Sequence, residues 1–207
     1  MHIAPVDAGI GEDEWRAFVT AQGFGHLVAA GRAREVPVVV PTQFVLEGDE
    51  LVLHLVARNP VFDAIAEQPR VLMSVAGDWA FIPSAWKAIG EEDPRLGIPT
   101  TYYAAVQLIG TATVLTEPAE VAAILRLQLA RIQPGVVVAD PAEAHTRLLG
   151  TIRGLRVTVE EVRAKFKYGG NVDLAHRLAV VERLRQRAGP GDLAAATHTL
   201  RRSGLTT

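Results

Sequence analysis

The chain of 207 residues contains no cysteine. This absence excludes disulfide bonds, thiolate catalysis and zinc or iron–sulfur centres held by cysteine. Long apolar runs are also missing, because no stretch approaches the roughly 18 residues that a membrane-spanning helix needs. The N-terminus lacks the basic and then apolar layout of a signal peptide. We therefore expect a cytoplasmic protein that does not enter a membrane.

The motifs of several common enzyme classes are absent as well. The sequence has no Gly-x-Gly-x-x-Gly, Walker loop, His-Glu-x-x-His or Gly-x-Ser-x-Gly segment, and such segments mark nucleotide sites, metalloproteases and serine hydrolases. No acid, base or nucleophile stands out, so whether the protein is an enzyme stays open. We predict no metal site, because the six histidines show no metal-ligand spacing: His2, His26, His54, His145, His176 and His198.

The composition is that of a globular protein, with 49% hydrophobic and 21% charged residues, enough for one core and a small second lobe. Its net charge is unevenly distributed. Residues 1–152 carry 10 Lys and Arg against 18 Asp and Glu, a net charge of −8, whereas residues 153–207 carry 11 against 5, a net charge of +6. A basic segment of this kind can contact DNA, but it can equally be solvated or meet an acidic partner, including a second copy of the chain.

The apolar pattern predicts one helix and then a meander of strands in the first half of the chain. The helix is expected over residues 12–22, and a second, connecting helix over residues 60–68. Gly77 and Asp78 are expected to form the turn of a hairpin. The strands of this half are predicted at residues 24–30, 36–46, 51–56, 70–76 and 79–82.

The second half is predicted to alternate between helices and long strands. Residues 87–99 are rich in charge, Gly and Pro and are expected to form a loop. Gly110 is expected to bend the first strand, and Asn171 to cap a helix that ends at Gly189. The strands are predicted at residues 100–115 and 155–162, and the helices at 118–132, 141–152, 171–189 and 192–202. The fold class is therefore mainly β, antiparallel, with peripheral helices (α+β).

The segment from Leu51 to Pro60 (LVLHLVARNP) joins a strand to a helix start. Asn59 suits the N-cap position and Pro60 the first helical position, so Arg58 brings a cation to a helix N-terminus. Such a terminus can bind a phosphate. The pattern alone is weak evidence, because Asn-Pro begins many helices that bind nothing and a lone arginine at a strand end is usually solvated.

Seven short motifs follow one another along the chain: Met1 to Pro5, Phe24 to Val28, Pro41 to Leu46, Leu53 to Pro60, Ala80 to Trp86, Pro99 to Val106, and Lys165 to Lys167. Each motif is weak alone, but their order is specific. Together they resemble the PaiB-type FMN-binding negative transcriptional regulator family, and the match extends to about Leu184.

The resemblance implies a split β-barrel related to pyridoxamine-phosphate-oxidase-like flavoproteins, assembled as a homodimer with ligand sites at the subunit interface. The implied division is a split-barrel domain at 1–170 and a C-terminal helical extension at 171–207, packed on the barrel or on the dimer partner. FMN is the implied cofactor, with Arg58 and Asn59 at its phosphate. His54 belongs to the same motif, and the alternative for it is a strand histidine hydrogen-bonded in the barrel wall.

Two further motifs imply contacts with the flavin ring. Pro41, Thr42 and Gln43 match the strand that passes the ring in such folds, where backbone N–H groups and side-chain amides can hydrogen-bond ring atoms. Ser84 and Trp86 lie in the matching aromatic segment. The indole of Trp86 either stacks on the flavin or packs in the core or the dimer interface.

The last motif places two lysines on one face of an extended segment, since Lys165 and Lys167 alternate around Phe166. The resemblance makes both of them candidate cofactor ligands. From the residues alone, their ammonium groups could meet a phosphate, a partner carboxylate or only water.

The chain departs from the family pattern at three polar positions. Val39-Val40-Pro41 stands where the family usually has His-Leu-Pro. Gln107 stands where a His often follows the Ala-Val pair. Tyr168-Gly169-Gly170-Asn171 keeps only the last residue of Leu-Ser-Gln-Asn. If these side chains normally contact flavin, binding is weakened here or altered towards a deazaflavin or haem.

Two classes of function follow from this resemblance. The first is a dimeric regulator that binds FMN and whose basic C-terminal segment contacts DNA or a regulatory partner. The second is a flavin-dependent oxidoreductase, in which the cofactor carries the electron chemistry and the protein supplies binding and electrostatics. Salt-sensitive DNA binding would support the first, and turnover of a reduced nicotinamide would support the second.

Overall fold

The computed structural model describes residues 1–32, 34–88 and 92–205. Seven strands form one antiparallel sheet in the order β2-β1-β5-β6-β7-β4-β3. This architecture confirms the expected class, a mainly β fold with peripheral helices. The strands are β1 (Phe24–Ala29), β2 (Val38–Gln43), β3 (Val45–Glu47), β4 (Glu50–Val56), β5 (Arg70–Ile82), β6 (Thr100–Leu115) and β7 (Ile152–Lys167).

The helices of the described ranges are short. They are α1 (Gly11–Gln22), α2 (Val61–Glu67), α3 (Ser84–Lys87), α4 (Pro118–Ile132), α5 (Pro141–Ala144), α6 (Thr146–Leu149), α7 (Leu174–Arg187) and α8 (Asp192–Arg201). Within those same ranges, none of them has the length and apolar character that crossing a bilayer requires.

The chain divides into two compact units. The first unit comprises Met1–Trp15, Ala76–Val106 and the residues from Ala164 onwards, and the second comprises Arg16–Val75 and Gln107–Arg163. Strands β5, β6 and β7 each contribute residues to both units. The domain boundary expected near residue 170 stays a prediction.

The core of the second unit is built on the pairing of β4 with β7. Leu51 faces Val157 and Leu53 faces Leu155 across the two strands, and all four side chains are fully buried. Helix α4 covers this sheet, and its Ile124 packs with Val52 and Leu115. Burying a leucine or isoleucine stabilises the fold by about 1.5 to 3 kcal/mol, so these layers hold the second unit together.

The core of the first unit is aromatic. Phe166 and Tyr168, at and just after the end of β7, are buried, and Tyr102 of β6 meets Tyr168 edge-on with ring centroids 5.9 Å apart. His198 of α8 stacks on Tyr168 at 4.7 Å. Because Asp78 holds the Nε2 of His198 at 2.8 Å, this cluster fixes α8 against β5 and β7.

Residues 36–46 do not form the single strand that was expected. The structure has two strands there, because β2 pairs with β1 and β3 pairs with β4. The change of partner occurs at Phe44, whose N–H donates to the carbonyl of Gly23 at 3.0 Å. A run of apolar residues predicts extended backbone but not the partner of each half.

The hairpin expected at Gly77 and Asp78 is wrong, since β5 continues from Arg70 to Ile82. Asp78 has a φ of 51°, and the buried positions change from odd to even numbers across this point. Such a change is what a one-residue β-bulge produces. The carbonyl of Asp78 accepts a hydrogen bond from the Tyr168 hydroxyl at 2.9 Å, which ties the bulge to the aromatic core.

Three other predictions need correction. The helix expected at 141–152 is two single turns, α5 and α6, which bury little more than Pro141 and Leu149. The N-cap of α7 is Asp173 and not Asn171, because the Asp173 carboxylate accepts from the N–H of His176 at 2.8 Å. The expected loop at 87–99 contains a 3-10 turn at Pro94–Leu96, and its residues 89–91 lie outside the described part of the chain.

Candidate functional site

The turn after β4 holds Arg58 and Asn59 in a fixed backbone conformation. The N–H of Ala57 donates to Thr151 at 2.8 Å, and the N–H of Asn59 donates to Val56 at 2.9 Å. The amide oxygen of Asn59 accepts from the N–H of Val61 at 3.0 Å. The N-cap of α2 is Pro60 and its first residue is Val61, so the expectation that Asn59 is the N-cap and Pro60 the first helical residue is wrong by one position.

The guanidinium of Arg58 is exposed, and the described residues offer it no hydrogen-bond or ion-pair partner. A cation on a rigid turn with no internal partner is available to an anionic ligand. An arginine in this position can bind a phosphate through charge-assisted hydrogen bonds.

A second arginine lies at the same helix start. The guanidinium of Arg153, on β7, lies 5.3 Å from the ring centroid of Phe62 in the first turn of α2. Sequence reasoning missed Arg153, because it is about one hundred residues away along the chain. Only the β4–β7 register, which pairs Leu55 with Arg153, brings it here.

His54 points to a helix. Its Nδ1 lies 2.5 Å from Oε1 of Gln128 on α4, and Gln128 is only 5% exposed. In the tautomer that carries its proton on Nδ1, the ring donates to this amide oxygen. The structure therefore gives this histidine a structural bond in the wall of the second unit, and its contact with a cofactor stays a prediction.

Pro41, Thr42 and Gln43 lie on β2, which is the edge strand of the sheet. Thr42 is buried opposite Gly25, and its hydroxyl donates to the carbonyl of Gln43 at 3.1 Å. Pro41 and Gln43 are exposed on the other face. An exposed amide at a sheet edge can reach a ligand, so the expected ring contact of Gln43 stays a prediction.

Ser84 and Trp86 lie in the single turn α3 of the first unit. The carbonyl of Ser84 accepts from the N–H of Ala88 at 3.2 Å. The guanidinium of Arg187 lies 4.6 Å from the ring centroid of Trp86, and this cation–π contact occupies one face of the indole. Stacking of a flavin on Trp86 stays a prediction, and it would have to use the other face of the indole.

Lys165 is engaged within the first unit. Its Nζ donates to the carbonyl of His2 at 3.1 Å, lies 4.0 Å from the Asp7 carboxylate and lies 5.6 Å from the ring centroid of Tyr103. These contacts tie the N-terminal segment to β7. They account for Lys165 without a ligand, so its role in cofactor binding stays a prediction.

Lys167 lines a pocket of about 670 Å³. Its Nζ donates to the hydroxyl of Thr100 at 2.7 Å. Lys87 lines the same pocket, and burial together with the charge of Lys167 lowers the pKa of Lys87 below its usual range. Sequence reasoning found Lys167 but missed Lys87, which lies 80 residues earlier.

Tyr102 also lines this pocket, and its hydroxyl lies behind the surface. It is buried, and no described residue forms a hydrogen bond with it. Burial raises the pKa of Tyr102 to about 12, although the charge of Arg177 acts in the opposite direction. A Cβ on Gly169, whose φ is +75°, would lie 2.3 Å from this hydroxyl. Gly169 thus makes room for Tyr102, whereas a Cβ on Gly170 would lie 2.4 Å from the carbonyl oxygen of Val6.

Metal chemistry receives no support from the described residues, which bring together no group of three or more His, Asp or Glu side chains able to hold an ion. The ten residues named from the sequence fall into both units. Pro41, Thr42, Gln43, His54, Arg58 and Asn59 belong to the second, whereas Ser84, Trp86, Lys165 and Lys167 belong to the first.

Solved structures place the fold among the flavin-binding split barrels. One similar structure is a flavocytochrome from Azotobacter vinelandii, with a TM-score of 0.63 and 21% identity over 86% of this chain and 78% of the other. Another is a FAD- and haem-binding protein from Mycobacterium smegmatis, with a TM-score of 0.61 and 19% identity over 84% and 79%. At these identities the likeness shows the fold alone: the protein is an antiparallel split barrel.

The sequence comparison is more specific. Residues 1–161 match the family described as "Putative FMN-binding domain", and the chain belongs to this family. A curated relative, the protease synthase and sporulation protein PAI 2 of Bacillus subtilis (strain 168), is 26% identical over 186 residues, which are 86% of each chain. The resemblance to PaiB-type regulators and the choice of FMN as cofactor are confirmed at the level of the family.

Proposed function

We propose that the protein binds FMN with the phosphate at the turn after β4, where Arg58 is its main ligand. The observation that carries this proposal is the exposed guanidinium of Arg58, which pairs with no described residue, on a turn that backbone hydrogen bonds and the Asn59 side chain already hold. Arginine binds phosphate oxygens in a bidentate manner. The second cation, Arg153, adds positive charge at the same helix start.

The side-chain amide of Gln107, in the second unit, is a second candidate for hydrogen bonding to the ligand. The side-chain Oε1 of Gln107 is buried, and no described residue donates to it. A buried acceptor without a donor costs free energy until a ligand or water supplies one, and an N–H of a planar ring system can do so. By the family resemblance, Gln107 stands where a histidine often follows the Ala-Val pair. When bound, FMN would supply redox chemistry that the side chains lack.

Flavin titrations of purified variants test the phosphate assignment. Arg58→Ala removes a charge-assisted contact worth about 1.5 to 3 kcal/mol, so we expect the Kd for FMN to rise by about ten- to a hundredfold. Quenching of flavin fluorescence measures the change. Arg185→Ala, which removes an exposed arginine of α7, is the matched control and should leave the Kd unchanged. An unaltered affinity in Arg58→Ala would remove Arg58 from the site.

We further propose that the protein is a cytoplasmic, homodimeric regulator that responds to FMN, in keeping with the PaiB-type resemblance. Its basic C-terminal segment is the proposed contact for DNA or a regulatory partner. Within the first unit Arg183 donates to Ala85, Arg187 pairs with Asp192, and Arg202 pairs with Glu14. Arg185 and Arg201 remain exposed, so the free basic surface is smaller than the charge count implies.

The alternative is a flavin-dependent oxidoreductase, with FMN, a deazaflavin or haem as the redox group. The described residues show no acid–base pair that would commit the site to one reaction. Oxidation of a reduced nicotinamide by the FMN-loaded protein would favour this alternative, and salt-sensitive DNA binding would favour the regulator.

A further inference from the structure

The first unit contains a pocket that the FMN proposal does not use. It has a volume of about 670 Å³, which is within the range of sites for small organic ligands. Val6 and Val172 supply apolar parts of its lining. Leu96 and Ile98 also line it and are 72% and 80% exposed, so apolar surface lies open at the pocket.

Two ammonium groups, those of Lys87 and Lys167, belong to residues that line this pocket. Lys167 bonds to a neutral hydroxyl, that of Thr100. The pKa of Lys87 lies below its usual range because of burial and then because of Lys167. Two carboxylates, Asp7 and Glu92, also line the pocket. An anionic ligand would relieve the repulsion between the lysines.

Two buried polar atoms nearby have no partner among the described residues. One is the hydroxyl of Tyr102, whose side chain is 1% exposed, and the other is Nε2 of His176, whose side chain is 9% exposed. The charge of Lys87 acts on His176 and contributes, after burial, to lowering its pKa. Buried polar groups are normally satisfied, so the hydroxyl of Tyr102, a residue of the pocket lining, is a candidate hydrogen-bond donor to a ligand.

We propose that this pocket is a second ligand site, which takes a small organic anion with an apolar body, such as a carboxylate or a phosphate monoester. Lys87 and Lys167 hold the anionic group, and the Tyr102 hydroxyl donates a hydrogen bond to the ligand. The apolar body covers Leu96 and Ile98. This assigns Lys167 to a ligand other than FMN, in place of the flavin contact expected from the family pattern.

Calorimetric titration of the full chain with four probes of similar size tests the charge preference. Benzoate and phenyl phosphate carry the proposed anionic groups, whereas benzamide is neutral and benzylamine is a cation. We expect one or both anions to bind at least tenfold more tightly than benzamide and benzylamine. The tighter of the two anions identifies the carboxylate or the phosphate as the natural group. Failure of both anions to bind, or tighter binding of benzylamine, would overturn the proposal.

Variants locate the binding. Lys167→Met and Lys87→Met should each weaken the preferred anion at least tenfold, and Tyr102→Phe should weaken it severalfold without removing a charge. Arg201→Met, which removes an exposed cation of α8 outside the pocket lining, should have no effect. Thermal unfolding of each variant checks that the fold is kept. Equal anion affinity in wild type and all three pocket variants would place the binding elsewhere and refute the site.

The same variants separate this site from the FMN proposal. Arg58→Ala should lose FMN affinity and keep the anion, whereas Lys167→Met should lose the anion and keep FMN. If FMN displaces the anion and Lys167→Met weakens both ligands to the same extent, the pocket belongs to the flavin site and the second-ligand proposal fails. A failure of FMN binding with intact anion binding would overturn only the first proposal.

Discussion

Burial of Tyr102 links the protonation of its phenol to the stability of the fold. Its folded pKa of about 12 lies above the ordinary value of 10.0, so the folded state holds the phenolic proton more tightly than the unfolded chain does. The stabilisation is therefore complete below pH 10 and is lost as the pH rises to about 12. A shift of two pKa units corresponds to about 2 to 3 kcal/mol.

Tyr102→Phe should remove this dependence. Between about pH 9 and about pH 12, we expect the free energy of unfolding of the wild type to fall by about 2 to 3 kcal/mol more than that of Tyr102→Phe. Urea unfolding at a series of pH values measures the difference. Parallel curves for the two proteins would show that the phenol ionises equally easily in both states.

The role of a residue could be predicted from the sequence where it depends on neighbouring residues in the chain. The turn at Asn59 and the exposure of Arg58 follow from neighbouring residues in one segment, although the helix begins one residue later than expected. Arg153, Lys87 and Tyr102 could not be placed, because strand register and tertiary packing bring them to their positions. The same limit applies to His54, whose bond to Gln128 depends on where α4 crosses β4.

Gly110 allows β6 to lie close against β7. A Cβ on Gly110 would lie 1.9 Å from the carbonyl oxygen of Thr158, so only glycine fits this close approach. Gly110→Ala should lower the free energy of unfolding by at least about 2 kcal/mol. Gly150→Ala is the matched control, since its nearest contact is an ordinary 3.8 Å. Denaturant unfolding compares them, and equal stabilities would contradict the close packing.

The elements themselves were largely predictable from apolar periodicity. Helix α4 begins and ends at the residues expected, and β1 and β4 differ by one residue at one end. The pattern failed where pairing decided the outcome. A bulge at Asp78 looks like a turn in the sequence, and the change of partner at Phe44 leaves no trace in a run of apolar residues.

Two exposed aromatic residues lie on a surface through which two copies of the chain could assemble. Trp79 and Phe81 are 59% and 49% exposed, whereas the alternate residues Ala80 and Ile82 are buried. An aromatic pair on an open sheet face suits a protein interface. The exposed pair supports the proposed homodimer.

Substitution on this face tests the homodimer. The wild type should have twice the 22.3 kDa mass of the chain by light scattering, and Trp79→Glu combined with Phe81→Glu should be monomeric. Val137→Glu changes a fully exposed apolar residue elsewhere and should stay dimeric. A monomeric wild type would refute the homodimer, and a double variant that stays dimeric would place the interface on another surface.

The family could be recognised from the sequence because seven weak motifs occur in one order, and the match over residues 1–161 confirms it. The pocket at Lys167 could not, since its lining comes from the N-terminal segment, residues 87–102 and the end of β7. Order along the chain therefore identifies the fold and the cofactor class, whereas a pocket assembled from distant segments becomes visible only in the structure.

Equilibrium binding of FMN to the purified wild-type protein tests most directly whether this chain binds the cofactor of its family. An absorbance spectrum with and without added FMN, followed by equilibrium dialysis, measures how much flavin the protein retains. We predict saturable binding of one FMN per chain and a flavin spectrum that differs from that of free FMN. No retention of FMN, at concentrations well above those that flavoproteins ordinarily need, would contradict the claim.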